Sequence, residues 1–166
     1  MPYIITVCTG DVRGAGTDSR VYIVLHGGEK GGETSGKIWL ETGKFERKMT
    51  DIFNVDVLTM LSPLSHIDIG HDNTGAASGW FLDSVTVYCP MAGIEQFFPC
   101  NKWLATDEGD GLIQRTLQEQ TGLRKKKEKS EHLFCWGFFV GFLDSALIII
   151  YLLAFCHCCC CRFFKF

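Results

Sequence analysis

The sequence predicts an all-β fold, an antiparallel sandwich that is followed by an apolar tail. Short stretches of alternating apolar and polar residues recur over the first two thirds of the chain, and glycine, proline and asparagine separate them. A period of two is typical of strands with one buried face, and frequent turn residues favour antiparallel connections. The 166 residues accommodate one domain of ordinary size and an appendage.

The strands can be placed in order from the alternation and from the turn residues between them. The predicted strands span 3–7, 20–26, 37–41, 51–57, 66–70, 80–89, 97–99 and 102–104. In the longest, 80–89, we place Phe81, Val85 and Val87 on the inward face. The alternation predicts a core that contains Val21, Ile23, Leu25, Phe53, Val55, Ile67, Ile69, Trp80, Val85 and Val87.

Two glycine-rich loops that carry carboxylates lead directly into strands. The first reads Thr9-Gly10-Asp11 and continues with 14–19, and the second reads Gly70-His71-Asp72-Asn73 and continues with 79–83. With the Phe-Phe-Pro-Cys at 97–100 and Trp103-Leu104, they resemble the PLAT (polycystin–lipoxygenase–alpha-toxin) family, in particular the repeats of lipoxygenase homology domain-containing proteins. The resemblance covers about 2–117. Such loops suit recognition or cation binding on a β-scaffold better than catalysis.

The resemblance implies a fold, a domain organisation and a class of function. PLAT domains are C2-like antiparallel β-sandwiches of two four-stranded sheets, which gives a PLAT domain at 1–117, a polar and basic linker at 118–132, and a hydrophobic, cysteine-rich tail at 133–166. In this family, such domains couple membranes or membrane proteins to other proteins. The repeat proteins lie under the plasma membrane of hair-cell stereocilia, so a membrane-associated protein is the expected partner.

The resemblance also implies a calcium site in the loops. In the lipoxygenase branch, a Gly-Thr-Asp motif supplies two carbonyls and a carboxylate, and a Phe-Glu-Arg loop supplies further ligands. The matching residues are Gly16, Thr17, Asp18 and Glu46.

This chain departs from the calcium pattern at two places. The Asn-Asp expected before the Phe-Glu-Arg motif is Gly43-Lys44, and a lysine there opposes cation binding. The acid expected before the Trp-Phe-Leu strand is also missing, and Asp72 and Asn73, with Asp11, could replace it. Alternatively, Asp18, Asp72 and Asn73 cap turns through Asx hydrogen bonds and bind no ion.

Trp103 is the one candidate for membrane contact by the loops. Some lipoxygenase-type PLAT domains insert aromatic residues from several loops into the interface, but two of those places here hold Arg13 and Gly75. The alternative is that Trp103 packs in the core or at its rim. The domain is therefore expected to bind protein rather than lipid through its loops.

No motif indicates an enzyme or a nucleic-acid-binding protein. There is no Ser/His/Asp order, H-E-x-x-H motif or nucleophile elbow, and we expect no small-molecule substrate. His71 is interpreted as a hydrogen-bonding loop residue, and His26, His66 and His132 lack the spacing of metal ligands. A net charge of −3 without a basic stripe argues against nucleic acid.

The tail is a candidate membrane anchor. Residues 133–156 are apolar except at Asp144-Ser145, and about twenty apolar residues can cross a bilayer as a helix. The basic block at 124–129 predicts, by the positive-inside rule, that the PLAT domain is cytosolic. The sequence shows no signal peptide, and its cysteine pattern favours a reducing compartment. Alternatives are a helical hairpin at the interface and an unselected alternative transcript end.

The cysteine cluster in the tail suits reversible palmitoylation. A metal tract is the other interpretation, but adjacent cysteines do not readily converge on one tetrahedral ion. The candidates are Cys156, Cys158, Cys159, Cys160 and Cys161. Together, the observations predict a non-catalytic interaction module that binds protein at a membrane. The alternative is a calcium-dependent lipid-binding module, in which calcium is the sole cofactor.

Overall fold

Two antiparallel sheets pack face to face around one hydrophobic core. The computed structural model describes residues 1–28, 32–120 and 124–125. The strands are β1 Pro2–Thr9, β2 Val21–Gly27, β3 Glu33–Thr34, β4 Ile38–Trp39, β5 Thr50–Asp56, β6 Leu64–His71, β7 Trp80–Cys89, β8 Ile94–Leu104, β9 Gln114–Gln118 and β10 Arg124–Lys125.

The strand order confirms the predicted sandwich. The first sheet has the order β10-β8-β7-β1-β5, and the second has the order β3-β2-β6-β9, with β4 also paired to β2. All of these pairs are antiparallel. Each sheet has five described strands rather than the expected four, and β3, β4 and β10 are only two residues long. The resulting fold is all-β and C2-like.

The core lies between the inner faces of both sheets. Ile5 and Val85 of the first sheet and Ile23 and Ile67 of the second are fully excluded from solvent. All but one of the predicted core residues are buried, and Val55 is partly buried against the same cluster. The predicted and observed core residues agree because side chains alternate between the two faces of a strand. An error of one residue in assigning the inward face would place all of these side chains in solvent.

The prediction that Phe81 faces inward is wrong. Trp80 and Leu82 are fully buried, whereas Phe81 is half-buried on the opposite face and contacts Trp103 edge-on. The register between β7 and β8 shifts between Leu82 and Ser84. A bulge of this kind adds a residue to one strand, so the inward set changes from even to odd positions along β7.

The closing segments form one strand rather than two. β8 is continuous across Pro99, which pairs with Ser84 of β7, while β10 reaches β8 only at Ile94 and Glu95. A proline is tolerated there because, among the described residues, β8 has one neighbour at that point. β9 was not predicted, because its single buried residue, Leu117, gives almost no alternation.

Several predictions about the tail lie outside the described residues. Among the described residues there is no helix, and so none long and apolar enough to cross a membrane. The apolar segment and the cysteine cluster at 133–166 belong to the part that the structure does not describe. The short β10 lies within the range assigned to the linker. Cys8, Cys89 and Cys100 are free thiols.

Candidate functional site

The two glycine-rich loops of the sequence lie side by side at one end of the sandwich. Thr17 Oγ1 donates a 2.9 Å hydrogen bond to the carbonyl of Ser78, and the amide of Asp18 donates to the carbonyl of Ala77 over 3.0 Å. Ser19 Oγ donates to the carbonyl of Thr74 over 2.6 Å. Alternate residues of the first loop are buried, so its hydroxyls fasten it to the second loop.

Gly75 is required for this close approach. Its φ of +91° lies in a region that favours glycine, and a Cβ at this position would lie 2.8 Å from the Cβ of Asp18. Asp18 itself is exposed to solvent. The two loops therefore present the carboxylate of Asp18 at the surface rather than enclosing it.

Asp72 is engaged in loop structure. Its Oδ1 accepts hydrogen bonds from the amide of Arg20 at 3.0 Å, from the amide of Thr74 at 3.1 Å and from Thr74 Oγ1 at 2.7 Å. These bonds, the Thr74 hydroxyl first, lower the pKa of the Asp72 carboxyl. Asn73 adopts a φ of +57°, which asparagine tolerates better than most residues. This geometry matches the turn-capping alternative for Asp72.

A third loop, 43–48, is held by the buried Asp51 and is joined to the first loop by a backbone hydrogen bond. The two carboxylate oxygens of Asp51 accept the amides of Lys44 and Phe45 at 3.0 Å each. The amide of Thr17 donates to the carbonyl of Phe45 over 3.2 Å. Asp51 was not among the predicted site residues, because it lies within an alternating strand.

The carboxylate of Asp11 is already paired with two cations. Arg47 Nη2 lies 2.6 Å and Lys48 Nζ 3.1 Å from its oxygens, and these contacts, Lys48 first, lower the pKa of Asp11. Glu46, between the Phe45 and Arg47 of the motif, is exposed. Asp11 is therefore a partner for the basic end of the third loop.

The calcium candidates are brought together only in part. An open groove of about 340 Å³ is lined by Thr17 and Asp18 together with Glu41 and Lys44. Gly16, Glu46, Asp72 and Asn73 do not line this groove. Asp18 and Glu41 supply the oxygen ligands that calcium prefers, but the ammonium of Lys44 opposes a cation. The donor set fits calcium incompletely.

His71 is a buried structural residue at the end of β6. Its Nε2 lies 2.8 Å from the carbonyl of Leu104, and its Nδ1 lies 3.1 Å from the amide of Asn73. A carbonyl can only accept and an amide can only donate, so the ring is neutral with its proton on Nε2. Burial lowers the pKa of His71. The interpretation of His71 as a hydrogen-bonding residue agrees with this geometry.

Trp103 lies in a strand rather than at a loop tip. It is half-buried, and its ring packs edge-on against Phe81, the residue opposite it in β7, with 5.4 Å between ring centroids. Its carbonyl accepts a 2.8 Å hydrogen bond from Arg115 Nη2. The ring stands beside another aromatic ring on the outer face of the first sheet.

The outer face of the second sheet carries a surface that the sequence analysis did not identify. The guanidinium of Arg20 lies 4.5 Å from the ring centroid of Trp39, and Lys37 Nζ lies 3.8 Å from that of Tyr22. The two rings contact edge-on at 5.4 Å. We call these four residues the aromatic–cation surface; Arg20 and Lys37 are exposed, Trp39 is half-buried, and Tyr22 is buried beneath Lys37. Glu41 Oε1 pairs with Arg20 Nη2 at 2.9 Å.

The family follows from the match of the sandwich sequence to known proteins. A family model described as PLAT/LH2 domain matches residues 3–117. Human lipoxygenase homology domain-containing protein 1 is 49% identical over 142 residues, which are 86% of this chain and 7% of that protein. This chain belongs to the PLAT/LH2 domain family. It spans a small fraction of that relative's length.

Solved PLAT-containing enzymes share the fold. The coral 8R-lipoxygenase, whose structure is described as showing calcium activation through a C2-like domain, matches with a TM-score of 0.61 and 21% identity, over 72% of this chain and 17% of that one. A calcium-dependent 11R-lipoxygenase matches with a TM-score of 0.54 and 28% identity, also over 72% and 17%. In both, the similarity is confined to the PLAT domain.

Proposed function

We propose that this PLAT domain is a non-catalytic interaction module that binds a membrane-associated protein through the aromatic–cation surface. The observation that carries the proposal is the stacking of Arg20 and Lys37 on the rings of Trp39 and Tyr22. Tryptophan, tyrosine and arginine are the residues enriched in the energetic centres of protein interfaces. Their clustering on one sheet face favours protein recognition there.

The surface is held in place before any partner binds. Tyr22 Oη donates a 2.7 Å hydrogen bond to Gln114 Oε1, and Arg20 contacts both Glu41 and the ring of Trp39. Side chains that are already ordered lose less conformational entropy on association. Preorganisation of this kind supports a binding role rather than a purely structural one.

Lys37 indicates the chemistry of the partner. Its ammonium lies over Tyr22, and among the described residues no carboxylate forms an ion pair with it. A cation beside aromatic rings is complementary to an acidic side chain flanked by apolar ones. We assign the partner an acidic segment that faces Lys37.

The non-catalytic character is supported by the state of His71, the one buried histidine in the part of the chain that the structure describes. Both ring nitrogens of His71 are occupied by backbone groups, so neither is free for proton transfer to a substrate. The matched part of the lipoxygenases is the PLAT domain, and their catalytic domain is not matched.

Photo-crosslinking in a membrane preparation tests the proposed surface. A benzophenone amino acid replaces the exposed Thr42, next to Glu41, in the full chain. A matched probe replaces Ile52, which is 64% exposed on the edge strand β5 of the first sheet. We expect a discrete protein adduct from position 42 and none from position 52. Equal adducts from both positions, or lipid adducts alone, would contradict the proposal.

We further propose that the tail holds the domain at the cytosolic face of a membrane. Support comes from the apolar segment within 133–166 and from the basic block that precedes it. Palmitoylation at 156–161 would require cytosolic access and so fits a hairpin better than a full span. By family resemblance, the plasma membrane of cell projections such as stereocilia is the proposed location.

Calcium-dependent binding is the second candidate function. The exposed carboxylate of Asp18 and that of Glu41 on the same groove favour it, as does the name of the calcium-dependent 11R-lipoxygenase, which is 28% identical. Lys44 on the groove opposes it, as does Arg20, which also lines the groove and already pairs with Glu41. A site with so few carboxylates would bind calcium with a dissociation constant of about 10⁻⁴–10⁻³ M.

A further inference from the structure

We infer that the outer face of the second sheet contains a zinc site formed by His26, His66 and Asp68. Candidate ligand atoms of these three side chains lie within 4.8 Å of one another. His26 and His66 are too far apart in the sequence to show the spacing of a metal-binding motif, but the fold brings them together. The two residues are directly opposite each other in the β2–β6 register, and 42 residues separate His26 from Asp68.

The sheet geometry places all three ligands on one side. His66 and Asp68 are two positions apart on β6, so their side chains share a face, and cross-strand pairing adds His26 to that face. The imidazole rings of His26 and His66 are stacked, with 4.1 Å between centroids. Two histidine nitrogens and a carboxylate oxygen are ligands that zinc accepts, and an open fourth position would hold water.

Neighbouring hydroxyls orient two of the three ligands, His66 and Asp68. Ser65 Oγ donates its proton to the carbonyl of His26 at 3.1 Å, so toward His66 Nδ1, at 3.0 Å, it acts as an acceptor. That contact puts the His66 proton on Nδ1 and leaves Nε2 with a free lone pair. Thr116 Oγ1 donates to Asp68 Oδ1. Metal-ligating histidines and carboxylates are commonly held by outer partners of this kind.

A hydrogen bond marks where the ion would sit. His26 Nε2 lies 2.9 Å from Asp68 Oδ2, with the two side chains 19% and 20% exposed. Zinc would take the place of the proton between these two atoms, and a neutral His26 ring would then carry its proton on Nδ1, so that Nε2 presents a lone pair to the ion. Zinc bonds of about 2.0–2.1 Å place tetrahedral ligand atoms about 3.4 Å apart. The ligand atoms here lie within 4.8 Å of one another, so they would have to move together by about 1.4 Å at most. One imidazole must turn out of the parallel stack, since stacked rings do not aim at one point.

Zinc titration of the full chain in detergent tests the inference. Reactive thiols are first alkylated, so that the tail cysteines cannot bind the ion. Isothermal calorimetry is expected to show one zinc ion per chain. His26→Gln and His66→Gln should each weaken that binding by more than about 100-fold, and Thr116→Val by about tenfold. Cobalt in place of zinc should give visible absorption bands that both glutamine variants lose.

Matched controls separate this site from the rest of the chain. Asp56→Asn removes an exposed carboxylate at the end of β5 and should leave zinc affinity unchanged, as should Asp18→Asn. Circular dichroism without metal checks that the glutamine variants remain folded. If the wild-type chain binds no zinc, or if folded His26→Gln and His66→Gln bind it as tightly as the wild type, the site does not exist.

Discussion

Nε2 of His71 donates a 2.8 Å hydrogen bond to the backbone carbonyl of Leu104 and so ties the end of β6 to the end of β8. The bond crosses from the second sheet to the first. Because Nδ1 of the same ring accepts the amide of Asn73, one side chain fixes both the joint between the sheets and the start of the second loop. The first prediction rests on this ring being neutral.

Acid should destabilise the domain through His71. Its folded-state pKa is lowered by burial, so between that pKa and about 6.5 the unfolded chain binds more protons than the native one. Stability is therefore retained above pH 6.5 and lost as the pH falls below it. In His71→Gln, whose side-chain amide can still donate to Leu104, chemical denaturation should show a shallower loss of stability between pH 7 and 5. If the free energy of unfolding falls as steeply with pH in His71→Gln as in the wild type, the assignment of His71 as a neutral buried ring is contradicted.

Truncating a core side chain should lower the free energy of unfolding, whereas truncating a surface side chain should leave it nearly unchanged. Ile69→Ala removes a side chain that is fully buried between the sheets and should lower the free energy of unfolding by about 2–5 kcal/mol. Ile52→Ala makes the same chemical change at an exposed position and should change it by less than about 0.5 kcal/mol. Urea denaturation measures both. Equal effects would mean that the two sheet faces are assigned wrongly.

Any stabilisation of the domain by calcium should depend on the carboxylate of Asp18 rather than on that of Asp72. Ligand binding to the native state raises the melting temperature, and Asp18→Asn should abolish any rise that calcium causes. Asp72→Asn keeps an Oδ1 acceptor for the amides of Arg20 and Thr74 and should preserve both the fold and the calcium response.

Differential scanning fluorimetry with and without calcium makes this comparison. Asp72→Ala, which removes the acceptor, should lower the melting temperature without calcium. A calcium response that survives Asp18→Asn and disappears in Asp72→Asn would move the site to the second loop.

The tail should determine membrane attachment. In carbonate-washed membranes we expect the full chain in the pellet and a chain ending at Glu128 in the supernatant, because that truncation removes the apolar segment. The two chains share every described strand, so the comparison isolates the tail. If both were soluble, the tail would not be an anchor.

Local alternation was sufficient to predict the sandwich and most of its core. It failed where the pattern is interrupted by a bulge, as at Phe81, or where a strand buries a single side chain, as β9 does with Leu117. The loop motifs singled out Asp18 and His71 but not their hydrogen-bond partners Ala77 and Leu104, which lie far away in the sequence. Asp51 was missed because a buried carboxylate that binds loop amides looks like any polar residue in a strand.

The outer face of the second sheet was invisible to sequence reasoning for a different reason. The pairing of Tyr22 with Trp39, and of His26 with His66, depends on strand register. Register is fixed by the complete hydrophobic pattern and by the turns, and no local spacing encodes it. Sites formed by residues on neighbouring strands can therefore be recognised only once the structure gives the register.

Charge reversal at Lys37 tests the proposed partner surface most directly. In the full chain with the photo-crosslinker at Thr42, Lys37→Glu should reduce the yield of the protein adduct by about tenfold or more, because it places a like charge opposite the acidic segment of the partner. Lys102→Glu makes the same change at an exposed position on the first sheet and should leave the yield unchanged. An adduct that persists in Lys37→Glu, or that is lost equally in both variants, would contradict recognition through the aromatic–cation surface.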